Sequence, residues 1–571
     1  MELIDRHDQE TRRQNNFSLP CCRVGAIRGW HLCRFFCRAL VVALVIGDFM
    51  IDQRSLLTLS HSTPLAPPKP SIAIDPSDES CPFRNSPLYR SVYIYPTPDF
   101  SLNQTRAQLA QQNSIYSPKG GRTNGGVVRP YPWLEWDRRT REEGGGWGHY
   151  DVGSPMGQYT LELVVREILR HPNSCLQTDD PQEAKLFYVP YLPSVEFHQG
   201  RLYATDYSTS PYGKAIYDAL EGNYDAWEDY FGFTSKYWKR RNGSDHILVW
   251  SEPLHGYSHP KMKRGNHHFI YTQRLLRPAI GVVVEVSTTF VDMFPKCAAK
   301  NILVPYPNPD GKWLNGKFDR EAQELGRKIN AAVGEMGGEL YRPASYYYNA
   351  GNHGTCANMR SAMQADYKCT QSYTILNQLA PAKKKLPSNT LGMRLSKICP
   401  CPGGDSPSAK RNFDSLLAGC IPLVLSHDFV WPFSREFDPA VNVDPNDFSI
   451  RLNAADFEEP HYQENCTPDS RGISRGLPKV IEDIIRNDTE LERLQRGVKK
   501  AADLYSFYRR TGSEQDMPDN PLREGILPDG GAAHALVDAL AARVGGERWV
   551  QCEKELARLT RHLPEVKTFK C

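Results

Sequence analysis

Residues 396–433 read SKICPCPGGDSPSAKRNFDSLLAGCIPLVLSHDFVWPF, and their reading decides the fold. The order is strand, glycine loop, helix, glycine, strand and proline-bounded loop. Lys397-Ile398 belongs to the first strand and Ile421-Pro-Leu-Val-Leu425 to the second. Pro402-Gly-Gly-Asp-Ser-Pro407 between them cannot form a regular element, because proline removes backbone donors and paired glycines favour turns. Gly403 and Gly404 lack a Cβ, so their N–H groups can approach a ligand closely. Ser408 is placed to cap the helix that follows. A helix start behind a glycine loop is an anion site, since free N–H groups and the positive dipole end converge there.

At about 100° per residue, Arg411, Asp414 and Ser415 share one helix face, while Phe413, Leu416 and Leu417 share the other. A guanidinium near a helix start can fork onto diphosphate oxygens. A carboxylate one turn later can accept from ribose hydroxyls. The same residues also suit a solvated amphipathic helix with an i,i+3 ion pair, and the pattern alone leaves both readings open.

Outward from this unit, strands and helices alternate. Ser91-Val-Tyr-Ile-Tyr95, Ala184-Lys-Leu-Phe-Tyr-Val-Pro190, His246-Ile-Leu-Val-Trp250, Gly281 to Val286 and Ile302-Leu-Val-Pro305 read as strands. Gln158 to His171 is helical by period, with Leu161, Val164, Val165 and Ile168 on one face. A polar helix and the Gly337-Gly338 break precede a second alternation. It opens at Ala344-Ser-Tyr-Tyr-Tyr348 and runs through a helix around Arg360. Helices at 474–510 and 532–559 close the chain. The alternation predicts an α/β fold with parallel sheets, in two lobes divided near 320–340.

Composition bounds the function. The 571 residues are 40% hydrophobic and 11% aromatic, enough for large cores, which excludes a globally disordered chain. Lys and Arg number 69 against 66 Asp and Glu, and no basic stripe dominates, so a dedicated nucleic-acid binder is excluded. No run of about 18 apolar residues occurs, which excludes a polytopic membrane protein. A shorter run, Ala39 to Gly47 (ALVVALVIG), follows Arg23, Arg28, Arg34 and Arg38. Ala39–Ile51 as a helix spans about 20 Å, against roughly 30 Å of hydrocarbon, and Arg34 and Arg38 can snorkel to extend it. The segment reads as a signal anchor; a cleaved signal and a soluble amphipathic helix are the alternatives. The basic flank puts the N-terminus in the cytosol and the body in the secretory lumen.

Two features fit that compartment. Asn103, Asn242, Asn465 and Asn487 each open an Asn-Xaa-Ser/Thr triplet. Of 15 cysteines, eleven follow the anchor, so at least one of these is unpaired; the pairings themselves stay open. The cysteines are scattered with no CxxC, which disfavours a zinc site. The expected organisation is a cytosolic tail (1–31), signal anchor (32–52), Pro-rich stem (53–90), N-terminal lobe (91–330), C-terminal lobe (331–510) and helical C-terminal extension (511–571).

The segment CPGGDSPSAKRNFDSLLAGCIPLVL with the distal WPF closely resembles the exostosin glycosyltransferases of family 47, in particular the plant-type branch that galactosylates cell-wall polysaccharides. Weaker matches follow in the right order: Tyr93-Ile-Tyr95, Gln177-Thr-Asp-Asp-Pro-Gln-Glu-Ala184, Phe187-Tyr-Val-Pro190, Gly243-Ser-Asp-His246, Val304-Pro-Tyr306, and Gly351 with Arg360. The resemblance covers roughly residues 90–510.

It implies a GT-B fold with two Rossmann-like lobes and a cleft between them, donor on the C-terminal lobe and acceptor mainly on the other. It also implies inverting transfer from a nucleotide-sugar, a UDP-sugar, to a polysaccharide or glycoprotein glycan at the Golgi membrane. No cofactor or essential metal is expected, and the chain contains no Asp-Xaa-Asp motif of the metal-dependent kind. Assembly with a second transferase, like or unlike, is a further expectation. Arg411 with Gly403, Gly404, Ser406 and Ser408 is the expected leaving-group site. Arg342, Gly351 and Arg360 are secondary diphosphate contacts, and Asp414 the ribose contact.

Inversion needs a base on the acceptor side. His246 with Asp245 is one candidate and Glu162 its rival. Adjacent residues on a strand point to opposite faces, so Asp245 and His246 are not expected to act as a dyad. His255, His259, His267 and His268 read as a surface loop, and Trp133, Trp136 and Trp147 as sugar-stacking groups or a local plug. The competing functions are a non-catalytic scaffold for another transferase and a secreted carbohydrate-binding protein.

Overall fold

The computed structural model describes residues 81–95, 160–190, 235–251, 278–286, 288–308, 311–333, 342–351, 357–380, 386–404, 406–426, 428–452, 476–510, 517–518, 521–522 and 524–559. The tail, the anchor, most of the stem, Trp133, Trp136, Trp147 and the four-histidine stretch lie outside them. Among the described residues, no helix is long and apolar enough to cross a membrane.

Two parallel sheets organise the body. The first holds β1 (Val92–Ile94), β2 (Gln177–Thr178), β3 (Leu186–Tyr188), β4 (His246–Trp250), β5 (Ile280–Val283) and β6 (Ile302–Leu303), in spatial order β2-β1-β3-β4-β5-β6. The second holds β7 (Ala344–Tyr346), β8 (Ser396–Cys401), β9 (Ile421–Val424) and β10 (Ile450–Arg451), in order β10-β9-β8-β7. Each strand pair is parallel. β3, β4, β5 and β9 are buried along their whole length, the continuous apolar pattern of strands covered on both faces.

The helices are α1 (Leu161–Arg170), α2 (Ser235–Arg240), α3 (Thr288–Met293), α4 (Pro295–Lys300), α5 (Gly316–Val333), α6 (Ala357–Lys368), α7 (Gln371–Gln378), α8 (Asn389–Arg394), α9 (Lys410–Leu417), α10 (Leu477–Ile485), α11 (Asp488–Leu504), α12 (Gly531–Ala541) and α13 (Glu547–Leu559). The predicted α1 face of Leu161, Val164, Val165 and Ile168 is fully buried. The helical stretch at 474–510 is two helices, because Asn487 caps α11 by accepting from Glu490 N (3.2 Å). The stretch at 532–559 also divides, at Gly545-Gly546, whose positive φ values (99° and 77°) favour glycine.

The closing segment does not stand apart. α13 is joined to α4 by the Cys297–Cys552 disulfide, and Glu555 accepts from Lys296 N (3.1 Å) and Cys297 N (2.9 Å) at the start of α4. Arg543 donates to the carbonyls of Ala299 (2.9 Å), Lys300 (2.9 Å) and Asn301 at its end. After the second sheet the chain therefore returns to the first. The remaining described disulfides are Cys81–Cys175 and Cys399–Cys420; Cys369 is also disulfide-bonded, while Cys401 is a buried free thiol.

Candidate functional site

The glycine loop is held at both ends. Cys399 on β8 is bonded to Cys420, just before β9, so the loop and α9 form one closed excursion of the sheet. Beneath α9, Phe413 packs edge-on against Trp431 (ring centroids 5.7 Å), and Trp431 against Tyr505 (5.5 Å) and Phe448 (5.0 Å). The Tyr505 hydroxyl donates to Pro432 O (2.6 Å). Burying Phe413 and Trp431 contributes about 2–3 kcal/mol each and fixes the helix from below.

Ser408 is not the cap. α9 begins at Lys410 behind Ala409, whose side chain makes no capping bond, and Ser408 is turned toward the first sheet. Its hydroxyl bonds the Tyr306 hydroxyl (2.8 Å), and its N–H donates to Glu285 Oε2 (2.6 Å). The Ser406 hydroxyl donates to the same oxygen (2.6 Å). Glu285 follows β5 and Tyr306 follows β6, so carboxyl ends of the first sheet meet the loop of the second. Two further bonds join these parts: Asn308 Nδ2 to Asp414 Oδ1 (3.0 Å) and Thr288 Oγ1 to Asp428 Oδ1 (2.8 Å).

The helix face divides differently from the arithmetic. Asp414 pairs with Lys410 one turn earlier (2.7 Å) instead of Arg411, so the i,i+4 partner wins over the i,i+3 one. Ser415 is fully buried and bonds back to Arg411 O (2.7 Å), beside the Cys401 thiol (3.4 Å). Burial pushes that thiol up to about 11.

Arg411 points toward the end of β7. Its Nη2 donates to Asn349 O, and the guanidinium lies over the rings of Tyr348 (5.5 Å) and Tyr347 (6.0 Å). Its Nη1 is buried without a hydrogen-bond partner among the described residues, and so is the Tyr348 hydroxyl. Burial pushes the Tyr348 hydroxyl up to about 12, against the Arg411 charge. Such a donor pair costs free energy unless a ligand completes it.

Arg360, 7% exposed, is the staple of this wall. Nε donates to Gly403 O (3.0 Å) and Nη1 to Gly351 O (3.1 Å), tying the loops after β7 and β8 together. A Cβ on Gly404 would stand 3.2 Å from Arg360 Nη2, so this glycine makes room for the guanidinium. Arg342 is elsewhere. Its nitrogens donate to Met393 O (3.0 Å), Ser396 O (2.8 Å) and Ala418 O (2.7 Å). It fastens the ends of α8 and α9 to β8, and Gly419 (φ 73°) leaves the space it fills.

Residues 89–465, more than half of the chain, match the exostosin GT47 domain model. The chain belongs to the exostosin GT47 family. It is 23% identical over 281 residues to the probable arabinosyltransferase ARAD1 of Arabidopsis thaliana, covering 48% of this chain and 52% of that protein. It is 25% identical over 268 residues to the probable xyloglucan galactosyltransferase GT19 of the same organism (46% and 56%). It is 23% identical over 303 residues to its xyloglucan-specific galacturonosyltransferase 1 (52% and 40%). The aligned part spans about half the length of these curated relatives. Their names cover three sugars, so the likeness does not single out galactose.

The three candidate bases of this GT47 chain lie in two places. Asp245 and His246 do bond each other, Oδ1 to Nδ1, at 2.8 Å. The expectation of opposite faces fails because Asp245 belongs to the turn 241–245, with Gly243 at φ 75°, and only His246 starts β4. His246 Nε2 bonds the Tyr95 hydroxyl (2.8 Å), and Arg240 bonds Asp245 Oδ2 (2.8 Å). A carboxylate only accepts, so Nδ1 of the neutral ring carries the proton and Nε2 accepts from Tyr95. Burial lowers the His246 pKa against the pull of Asp245. Burial also pushes the Asp245 carboxyl up, but bonds and charges from His246 and Arg240 hold it below its ordinary value. Both side chains are fully buried among Phe187, Trp238 and Tyr95 at the amino end of β4. These bonds lie about 13 Å along the strand from its carboxyl end.

Glu162 is at that carboxyl end. Its Oε1 accepts from Ser251 N (3.1 Å), the residue after β4, and its own N–H donates to Ser251 Oγ (3.3 Å). The sequence reading missed Glu285, Tyr348 and Asn308. Glu285 leaves one signal, a lone charge inside the apolar run Gly281 to Val286; Tyr348 is hidden in a three-tyrosine strand end.

Proposed function

We propose that the chain is an inverting glycosyltransferase that moves a sugar from a UDP-sugar to a polysaccharide or glycoprotein glycan. The carrying observation is the buried Arg411 Nη1 beside the Tyr348 hydroxyl, both without a partner among the described residues, at the carboxyl ends of β7 and β8. Ligands of open parallel sheets bind at such ends, and an arginine fork suits a diphosphate. The acceptor hydroxyl oxygen bonds to the anomeric carbon as the bond to the diphosphate oxygen breaks. The electron pair leaves on the diphosphate, where Arg411 meets the developing charge. The hydroxyl proton passes to a base of the first lobe, and of the three candidates only Glu162 stands at the carboxyl edge of its sheet. Guanidinium takes the place of a metal ion on the diphosphate, and residues 32–52 hold the body on the lumenal side of the Golgi membrane.

A panel of UDP-sugars tests the reading, with UDP release and the anomeric configuration of product followed by NMR, with and without EDTA. Expected are turnover of one donor, inverted product, insensitivity to EDTA, and loss of turnover with retained UDP binding in Glu162→Gln. Absence of UDP binding at millimolar concentration would favour a carbohydrate-binding protein instead. Binding without turnover of any donor would favour a scaffold.

A further inference from the structure

Glu285 is a carboxylate in an otherwise apolar run, with Val282, Val283, Val284 and Val286 all buried and Glu285 itself 2% exposed. Burying a charge costs several kcal/mol unless bonds compensate it. Here the bonds reach into the other sheet's glycine loop. Ser406 Oγ and Ser408 N both donate to Oε2 at 2.6 Å, short bonds of the charge-assisted kind. The loop is internally closed by Gly404 N to Ser406 O (2.9 Å), and Arg360 holds Gly403 O on its far side. Two elements therefore grip the loop, Arg360 from its own sheet and Glu285 from the other. The donors that a diphosphate was expected to use at Ser406 and Ser408 already face an internal anion. Among the described residues, the donors left open on this wall are Arg411 Nη1 and the Tyr348 hydroxyl.

We propose that Glu285 is a positioning residue for the nucleotide-sugar. Its carboxylate substitutes for a phosphate at Ser406 and Ser408, holds the loop so that Arg411 and Tyr348 present a preformed diphosphate site, and makes contact between the two sheets a condition of donor affinity. The inference rests on the UDP-sugar reading above. Preorganisation of this kind acts on affinity by removing the ordering cost from the binding step.

The test is UDP binding to the purified full chain by calorimetry, for wild type, Glu285→Gln, Ser406→Ala and the double variant, with the melting of each unliganded protein measured alongside. Glutamine keeps shape and loses the charge. Expected is a UDP Kd about 10-fold weaker in Glu285→Gln and about 3-fold weaker in Ser406→Ala. The double variant should be no weaker than Glu285→Gln alone, because both changes break one interaction. A purely structural role would lower the melting temperature and leave the UDP Kd and its coupling untouched. An unchanged or tighter UDP Kd in Glu285→Gln overturns the proposal, the tighter value marking the carboxylate as an anion that opposes phosphate. If Glu285→Gln does not fold, Ser406→Ala decides alone, and an unchanged Kd overturns the proposal. Wild type that binds no UDP overturns the donor-site reading and this inference with it; wild type that binds, with unaffected variants, overturns this inference only.

Discussion

Replacing Arg411 by alanine is the most direct perturbation of the proposed donor site. In the unliganded protein the guanidinium makes a bond to Asn349 O and lies over two tyrosine rings, while Nη1 has no hydrogen-bond partner among the described residues. The fold therefore loses one bond from a charged donor and two ring contacts, and should persist. Bound UDP loses the charge-assisted bond of Nη1, worth about 1.5–3 kcal/mol, so its Kd should rise about 10- to 150-fold. A melting assay reads this directly. UDP at 100 times the wild-type Kd stabilises the wild type by about 2.7 kcal/mol, and a 100-fold weaker variant by only about 0.4 kcal/mol at the same concentration. If Arg411→Ala keeps a UDP-induced shift like that of wild type, with its unliganded fold intact, the diphosphate assignment is wrong.

Arg342→Met should behave in the opposite way. It strips the donor from three carbonyls, each costing about 1–3 kcal/mol if left unsatisfied, so the melting temperature should fall while the UDP Kd of the folded fraction stays within about twofold. A selective loss of UDP affinity would restore Arg342 to the site. His246 has a folded pKa below its ordinary value, so the unfolded chain takes up a proton near pH 6.5 and the folded chain does not. Stability should therefore fall on acidification from about pH 6.5 to the folded pKa, and His246→Gln should flatten melting temperature against pH in that window. An unaltered profile would refute the buried-neutral assignment. Lys300, fully buried beside Arg543, is pushed down to about 7 by desolvation first and that charge second. The unfolded lysine keeps its proton up to about pH 10.4, so stability should rise from pH 7 toward that value. Lys300→Met should remove the rise, as seen in denaturant midpoints across that range.

Much of the fold was legible because its signals are local. Buried parallel strands read as short apolar runs, and α1 declared its inner face through a 3.6-residue period. The loop-helix-strand unit at 396–433 was legible for the same reason: glycine, proline and the apolar face of α9 act within a few residues of one another. The helix breaks at Asn487 and at Gly545-Gly546 are also local chemistry.

The amino-acid sequence by itself determined the α/β class, the parallel sheets, the GT47 resemblance and the position of the glycine loop, since each depends on neighbours in the chain. Tertiary structure alone decided what those residues do. Arg342 and Arg360 look alike in sequence, yet one fastens helix ends and the other staples two loops. His246 and Asp245 pair because a turn at Gly243 cancels the strand alternation. Ser406 and Ser408 donate to Glu285, which lies 121 and 123 residues away along the chain. Hydrogen bonds of that kind depend on a few tenths of an ångström between two sheets, and no periodicity along one chain records that distance.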